Sequence, residues 1–380
     1  DVYKRQELQG VVGDLSDIGA VEMQNFNVIN VTNDNNAGEG SLRFALVAAN
    51  ENGPARDEII FEPNFFSVPR IINLASALDS SRSDLSLYGP GADMLTLRRD
   101  TGGDYEILYA SPGLDVSLSG LTISNGNGQI GHGGGFTSFA RLSLTDVAVV
   151  GNSGLSVGGV NLIGAGGIFT RCTISGNTTP TGIGAISFDG SDGSLLKIVD
   201  STISGNSSVQ VGSGGIASAA YNGDTTGMEI INSTISNNSS PARTAGVKVS
   251  AEDPGTINTL KIRNTVISDN FGENFGIVSH NGGTVLPVSL GHNLSDDDSR
   301  GFLTATGDQV NTNALLAPLD YYGGPTKTHT LKAGSPALDK GYSAGPGVDQ
   351  RGLPRPFDTI GIGAAPGGNF ADIGAVEMQA

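Results

Sequence analysis

"CTISGN" occupies residues 172–177, and near-copies of it return as "VAVVGN" (147–152), "TISGN" (202–206), "TISNN" (234–238) and "VISDN" (266–270). The closing asparagines are Asn152, Asn177, Asn206, Asn238 and Asn270, which makes the steps 25, 29, 32 and 32 residues. A looser copy, "LTISNGNG", stands earlier at 121–128. A second landmark keeps time with the first. It is a small-small-aliphatic triplet: "GGF" at 134–136, "GGV" at 158–160, "GAI" at 184–186, "GGI" at 214–216, "AGV" at 245–247 and "FGI" at 275–277. Two landmarks in phase define one repeating structural unit, and a period of this length governs the whole fold.

Within each unit lie short alternating runs such as "LKIVD" (196–200) and "MEIIN" (228–232), separated by turn residues. Helices do not fit, because the runs are short, rich in β-branched residues and interrupted by glycine. Hairpin blades would need Asn-Gly or Asp-Gly at each reversal and a longer, more regular period. What remains is a right-handed parallel β-helix, one coil per repeat, with coils stacked about 4.8 Å apart and equivalent residues in columns. Ile, Val and Leu columns should fill a narrow core. The asparagine column is expected to take left-handed backbone geometry and stack its amides in a ladder, and the glycine pairs to permit sharp corners.

A stack of coils leaves open edges at both ends. The stretch "SLRFALVAANENGP" (41–54) reads as a helix over about 41–52 that caps the first coil. Leu42, Ala45, Leu46 and Ala49 share one face, Ser41 can cap its start, and Asn52-Gly53-Pro54 can stop it. The first strand expected after it is "DEIIFE" (57–62). Downstream, "LKAGSPALDKGYSAGPGVDQRGLPRP" (331–356) abandons the coil phrase and becomes Pro-rich, as an irregular C-terminal cap would. The octamer "DIGAVEMQ" occurs at 17–24 and again, unchanged, at 372–379, as if it closed a module. The expected organisation is therefore the tail of a preceding copy at 1–24, an N-terminal cap at 25–56, coils at 57–300 and a capping region at 301–380.

Composition agrees. Glycine accounts for 57 of 380 residues, charged residues for 16%, and tryptophan is absent. The net charge of −17 argues against nucleic acid and against anionic membrane surfaces, both of which need a basic footprint. Cys172, the single cysteine, excludes an internal disulfide framework and reads as a small buried hydrophobe. No apolar run is long enough to span a membrane.

Chemistry, if present, has to be found in the columns. Three residues before the aligned aliphatic position stand Asp146, Arg171, Asp200, Asn232 and Asn264. A carboxylate pair, Asp146 and Asp200, flanking Arg171 is a candidate catalytic site for polysaccharide cleavage. The competing and favoured reading is a turn column in which Asn and Asp suit left-handed geometry and Arg171 compensates charge. Asp296, Asp297 and Asp298 could hold Ca²⁺ if a loop wrapped them round one ion; a solvated loop is the plainer reading. His132, His280, His292 and His329 are scattered without metal-ligand spacing. Tyr321-Tyr322 could stack on a sugar or simply pack a turn.

The blocks "VTNDNNAGEGSLRFALVAANENGPARDEIIF", "GPGADMLTL", "SLGHNLSDDD", "YYGGPTKTHTL", "GSPALDKG", "VDQRGLPRP" and "DIGAVE" resemble, in content and order, bacterial right-handed β-helix surface proteins that end in a choice-of-anchor Q domain. The resemblance covers nearly all of 25–379. It implies a pectin-lyase-like β-helix, export to the cell surface, tandem copies with anchoring sequences downstream, and no particular chemistry. One departure is that relatives often carry a cysteine near "SLGHNLSDDDSRGF", where this chain has none. The expected function is a non-catalytic secreted or cell-surface module, an adhesin-like stalk or binding spacer, monomeric within a longer tandem chain. Its expected ligand is an extracellular polysaccharide or another surface molecule. The alternative is a polysaccharide lyase or glycoside hydrolase.

Overall fold

The computed structural model describes residues 27–51, 56–78, 80–100, 102–210, 212–343 and 347–379. The first "DIGAVEMQ" and the stop signal Asn52-Gly53-Pro54 lie outside the described residues.

Every ladder between strands is parallel, and the strands fall into one sheet of nineteen and another of nine. The chain is a right-handed parallel β-helix. The nine-stranded sheet contains the repeat phrase itself, one short strand per coil, including Thr122–Ser124, Ala148–Val150, Thr173–Ser175, Thr202–Ser204, Thr234–Ser236 and Val266–Ser268. Register follows the sequence alignment: Val149 pairs with Ile174, Ile174 with Ile203, Ile203 with Ile235 and Ile235 with Ile267. All five point inward with no solvent exposure. The second landmark supplies the facing column, Phe136–Val160–Ile186–Ile216–Val247–Phe275, also fully buried. There the last triplet is displaced. Phe275, not Ile277, occupies the core column, because a bulge between 239 and 247 shifts the register.

The asparagine ladder forms, with one correction to its backbone. Nδ2 of Asn152 donates to Oδ1 of Asn177 at 2.9 Å, and the pattern repeats to Asn206 (2.9 Å), Asn238 (2.8 Å) and Asn270 (3.1 Å). From Asn177 onward each Oδ1 also accepts the backbone N–H of the asparagine one coil earlier, Asn152 Oδ1 accepts that of Gly126, and each Nδ2 also reaches a carbonyl, such as Ile174 O from Asn206. These asparagines are not left-handed. The residue before each one is: Gly151, Gly176, Gly205, Asn237 and Asp269 have φ between 58° and 67°. Glycine, Asn and Asp tolerate that conformation, so the turn conformation and the ladder fall on adjacent residues. The glycine pairs stand at bends, as expected, at Gly134-Gly135, Gly158-Gly159 and Gly214-Gly215. They also serve close approach: a Cβ on Gly158 would meet Gly184 O at 2.5 Å.

At the N-terminal end, Leu42–Glu51 is the expected helix, with Leu42, Ala45, Leu46 and Ala49 buried. Ser41 Oγ accepts the N–H of Phe44 at 3.2 Å and caps it. A strand, Asn27–Val31, precedes the helix and pairs with Asp57–Phe61, so the coil stack starts earlier than "DEIIFE". Among the described residues no helix is long and apolar enough to cross a membrane.

The C-terminal region divides in two. Phe302 and Leu303 pack on the core at the last coil, where Phe302 meets Phe275 edge-on at 4.6 Å, and Gln309 bridges to Leu294. Beyond residue 312 the chain turns back and lies along the outer face of the nine-stranded sheet. Val266 and Leu294 of that face share a small second core with Ala314, Leu316, Leu331, Ala337, Leu338 and Ile373. The segment thus covers a face as well as an end.

Candidate functional site

The turn column singled out by sequence is real. Asp146, Arg171, Asp200, Asn232 and Asn264 are all left-handed, with φ from 47° to 55°. Arg171 grips Asp146 through both carboxylate oxygens, Nε to Oδ1 at 2.8 Å and Nη2 to Oδ2 at 2.7 Å. That pair is partly exposed, and the hydrogen bonds to Asp146 raise the guanidinium pKa further. Asp200 makes its close ion pair elsewhere. Fully buried, it faces Nη1 of Arg355 at 3.4 Å. The column therefore does not present two free carboxylates around one arginine: one is tied to Arg171 and the other lies beneath the C-terminal segment.

That segment is held by buried polar groups on its own motifs. Arg355 Nε donates to Glu377 at 2.9 Å, and Nη2 donates to Gly374 O at 2.7 Å. Glu377 in turn accepts the N–H of Asp372 and Phe357, and Asp372 accepts those of Asp339 and Met378. Gln350 Oε1 accepts Thr202 Oγ1 at 2.6 Å, while Nε2 donates to Thr173 Oγ1 and Thr326 Oγ1, each at 3.1 Å. Ala375 N donates to Thr234 Oγ1 and Gly374 N to Asn264 O, both at 3.0 Å. "GSPALDKG", "VDQRGLPRP" and "DIGAVE" thus converge on one docking face. Burial pushes the Asp200 carboxyl up to about 6 against the pull of Arg355. Burial, then the neighbouring Glu377 charge, pushes Asp372 up to about 7.

Where the docked segment ends, the sheet face stays open, and there lies a cleft of about 690 Å³. Its floor is the outward rows of the coils, Thr96, Thr122 and Ala148 beside Ser124, Val150 and Ser175. Its wall is Pro318, Leu319, Tyr321, Lys327 and His329, and Asp93 is the lining's one carboxylate. The Tyr321 ring is half exposed, with Lys327 Nζ 5.3 Å from its centroid and 3.8 Å from Asp320. Burial and the carboxylates of Asp93 and Asp320 raise the Tyr321 phenol pKa. Tyr322 instead packs the turn, its hydroxyl donating to Pro318 O at 3.0 Å. His329 is a positioning element. Nδ1 donates to Ala317 O at 2.7 Å, so Nε2 is the atom left to accept Ser204 Oγ at 2.8 Å, and burial lowers the ring's pKa. Sequence reasoning noted Tyr321 and His329 separately. It missed Asp93, Lys327 and Arg355, whose partners are remote in the chain and follow no period.

The remaining candidates are accounted for by their contacts. His132 pairs with buried Glu106, Nδ1 to Oε1 at 2.8 Å, and His292 Nδ1 lies 2.8 Å from Lys340 O. Exposed His280 lies 3.9 Å from Glu252. Asp296, Asp297 and Asp298 each accept hydrogen bonds from neighbouring groups. Asp296 accepts Asn274 Nδ2 and Asp269 N, Asp297 accepts Asn274 N and Ser299 N, and Asp298 accepts Arg300 N. Among the described residues no three His, Cys, Asp or Glu side chains form a metal-ligand group. Cys172 is buried and its thiol pKa is pushed up to about 12, as befits a core residue.

No protein-family model and no curated protein sequence matches the chain. Among solved structures it is similar to the crystal structure of pectate lyase Pel9A, at 12% identity and a TM-score of 0.45, over 93% of this chain and 96% of that one.

Proposed function

We propose that the chain is a non-catalytic binding and spacer module of a secreted or cell-surface bacterial protein, whose stiff β-helix presents a cleft for an extended polysaccharide. The cleft between the Thr/Ser rows and the Tyr321–Lys327 wall carries the reading. Stacked hydroxyls about 4.8 Å apart offer hydrogen bonds along a groove, and a half-exposed phenol ring offers a stacking platform. Glycoside cleavage uses paired carboxylates across the scissile bond, and Asp93 stands alone in the lining. The net charge of −17 disfavours nucleic acid as a partner. The C-terminal motifs, which resemble a choice-of-anchor Q region, support a surface setting and a monomer within a tandem chain.

A panel of purified plant, algal and bacterial polysaccharides, assayed for retention of the protein and for new chain ends, tests this. Retention by at least one polysaccharide without new unsaturated or reducing ends is the expected result. New chain ends would assign a lyase or hydrolase instead, and retention by none would remove the binding role.

A further inference from the structure

A second pocket, on the nineteen-stranded sheet, is surrounded by positive charge. Arg243, Lys248 and Arg300 line a cavity of about 430 Å³ in which Glu273 is the one carboxylate, over buried Thr244 and Gly276. The lining thus carries three cations against one anion on a chain of net charge −17, with Asp297 and Asp298 acting on Arg300 from outside it.

The bulge builds it. Strand Ser239–Ala251 takes five steps from Ser239 to Thr244 where its neighbour Phe271–Ser279 takes two, from Phe271 to Glu273. The surplus leaves Ser240 buried, its Oγ donating to Gly212 O at 2.9 Å, and puts Arg243 at the exposed rim. Gly272 lies beneath with φ +135°, and a Cβ there would meet Ser240 O at 2.5 Å and Arg243 O at 2.6 Å. Gly276 keeps the floor open, since its Cβ would collide with Thr244 Oγ1. Arg300 is fixed, with Nε donating to Phe275 O at 2.9 Å and Nη2 2.5 Å from Glu273. Arg243 and Lys248 have no ion-pair or hydrogen-bond partner among the described residues. In register with Lys248 stand Ala217 on one side and Gly276 on the other, so neither of its direct register partners is a carboxylate. Grouping unpaired like charges is unfavourable unless an anion joins them.

We infer that this pocket binds the oxyanion of an acidic sugar, the carboxylate of a uronic acid or a sulfate ester. Guanidinium forks suit planar or tetrahedral oxyanions, and Lys248 adds a point charge from the wall. The sugar part rests on the proposed polysaccharide role, whereas the oxyanion part stands on the pocket alone.

The test titrates the full chain with glucuronate, glucose 6-sulfate and glucose at low ionic strength, following the backbone amide resonances of Thr244 and Gly276. Both amides should shift with at least one anionic sugar and not with glucose. The stronger of the two responses assigns the ligand to uronates or to sulfate esters. Combining Arg243→Ala with Lys248→Ala should weaken binding at least ten-fold, and salt near 0.5 M should also weaken it. An unchanged thermal melt of the double variant shows that the loss is not unfolding. Tyr321→Ala should leave anion binding intact, which separates this pocket from the cleft. Absent shifts, equal shifts with glucose, or a double variant that binds as well as the parent would overturn the assignment.

Discussion

Asp200 and Arg355 are 155 positions apart in the chain and 3.4 Å apart in the fold, neither side chain exposed to solvent. The contact fastens the C-terminal segment to the coil column. Breaking one member of a buried ion pair costs about 3–5 kcal/mol, because the other charge is left uncompensated. Arg355→Ala strands both Asp200 and Glu377 and should lower stability by that order. Denaturant unfolding measures the loss, and limited proteolysis should cut first beyond residue 312. Stability within about 0.5 kcal/mol of the parent would show that Arg355 is not the fastener.

The same face makes stability depend on pH. Asp200 and Asp372 have folded pKa values raised to about 6 and about 7, and that of Glu377 is raised as well. Raised carboxyls contribute stability that is fully present below their unfolded values near 4 and is lost as pH climbs through the folded values. His329, lowered by burial, acts the other way below about 6.5. Between about pH 6.5 and 7.5 the carboxylates dominate, so the melting temperature should fall as pH rises and level off above about pH 8. A melting temperature that rises across this window contradicts the burial of these groups.

The asparagine ladder gives a sharper mutational signature. Asn206→Ala removes the acceptor for both the N–H and Nδ2 of Asn177 and the donor to Asn238 Oδ1 and Ile174 O. Each orphaned buried group costs about 1–3 kcal/mol, so a loss of about 3 kcal/mol is expected in chemical denaturation. Asn206→Asp should be worse still, since its carboxylate would face two acceptors. Equal stability of variant and parent would refute the ladder.

One residue earlier the rule reverses. Gly205 sits at φ 67°, where an added Cβ would meet only Gly176 N at an unstrained 3.9 Å, at the position that Asn237 and Asp269 fill in later coils. Gly205→Asn should cost less than about 1 kcal/mol, and Gly205→Val clearly more, because β-branching penalises the left-handed region. Comparing the two melting temperatures checks the assignment of turn and ladder to adjacent residues.

Sequence carried the coils because stacking makes periodicity visible. Ile174 and Ile203 are equivalent in space and therefore alike in the chain. It also carried the helix face of Leu42, Ala45, Leu46 and Ala49, which a 3.6-residue period writes directly. What it hid is aperiodic. The bulge between Ser239 and Val247 displaced the last triplet. The docking of Arg355 on Asp200 and of Gln350 on Thr202 leaves no spacing signal, because each contact occurs once. The cleft inherits that blindness, being made of a periodic floor and an aperiodic wall.

Binding in that cleft is the claim on which the functional account turns, and Tyr321→Ala is its most direct probe. Tyr321 is half exposed, and the hydrogen bonds that dock the segment are made by other residues, so the variant should fold and melt as the parent does. Titration calorimetry with the polysaccharide retained best in the panel should show affinity reduced about two- to twelve-fold, the loss of one stacking ring at roughly 0.5–1.5 kcal/mol. Affinity unchanged by Tyr321→Ala would contradict the account and place the ligand elsewhere on the molecule.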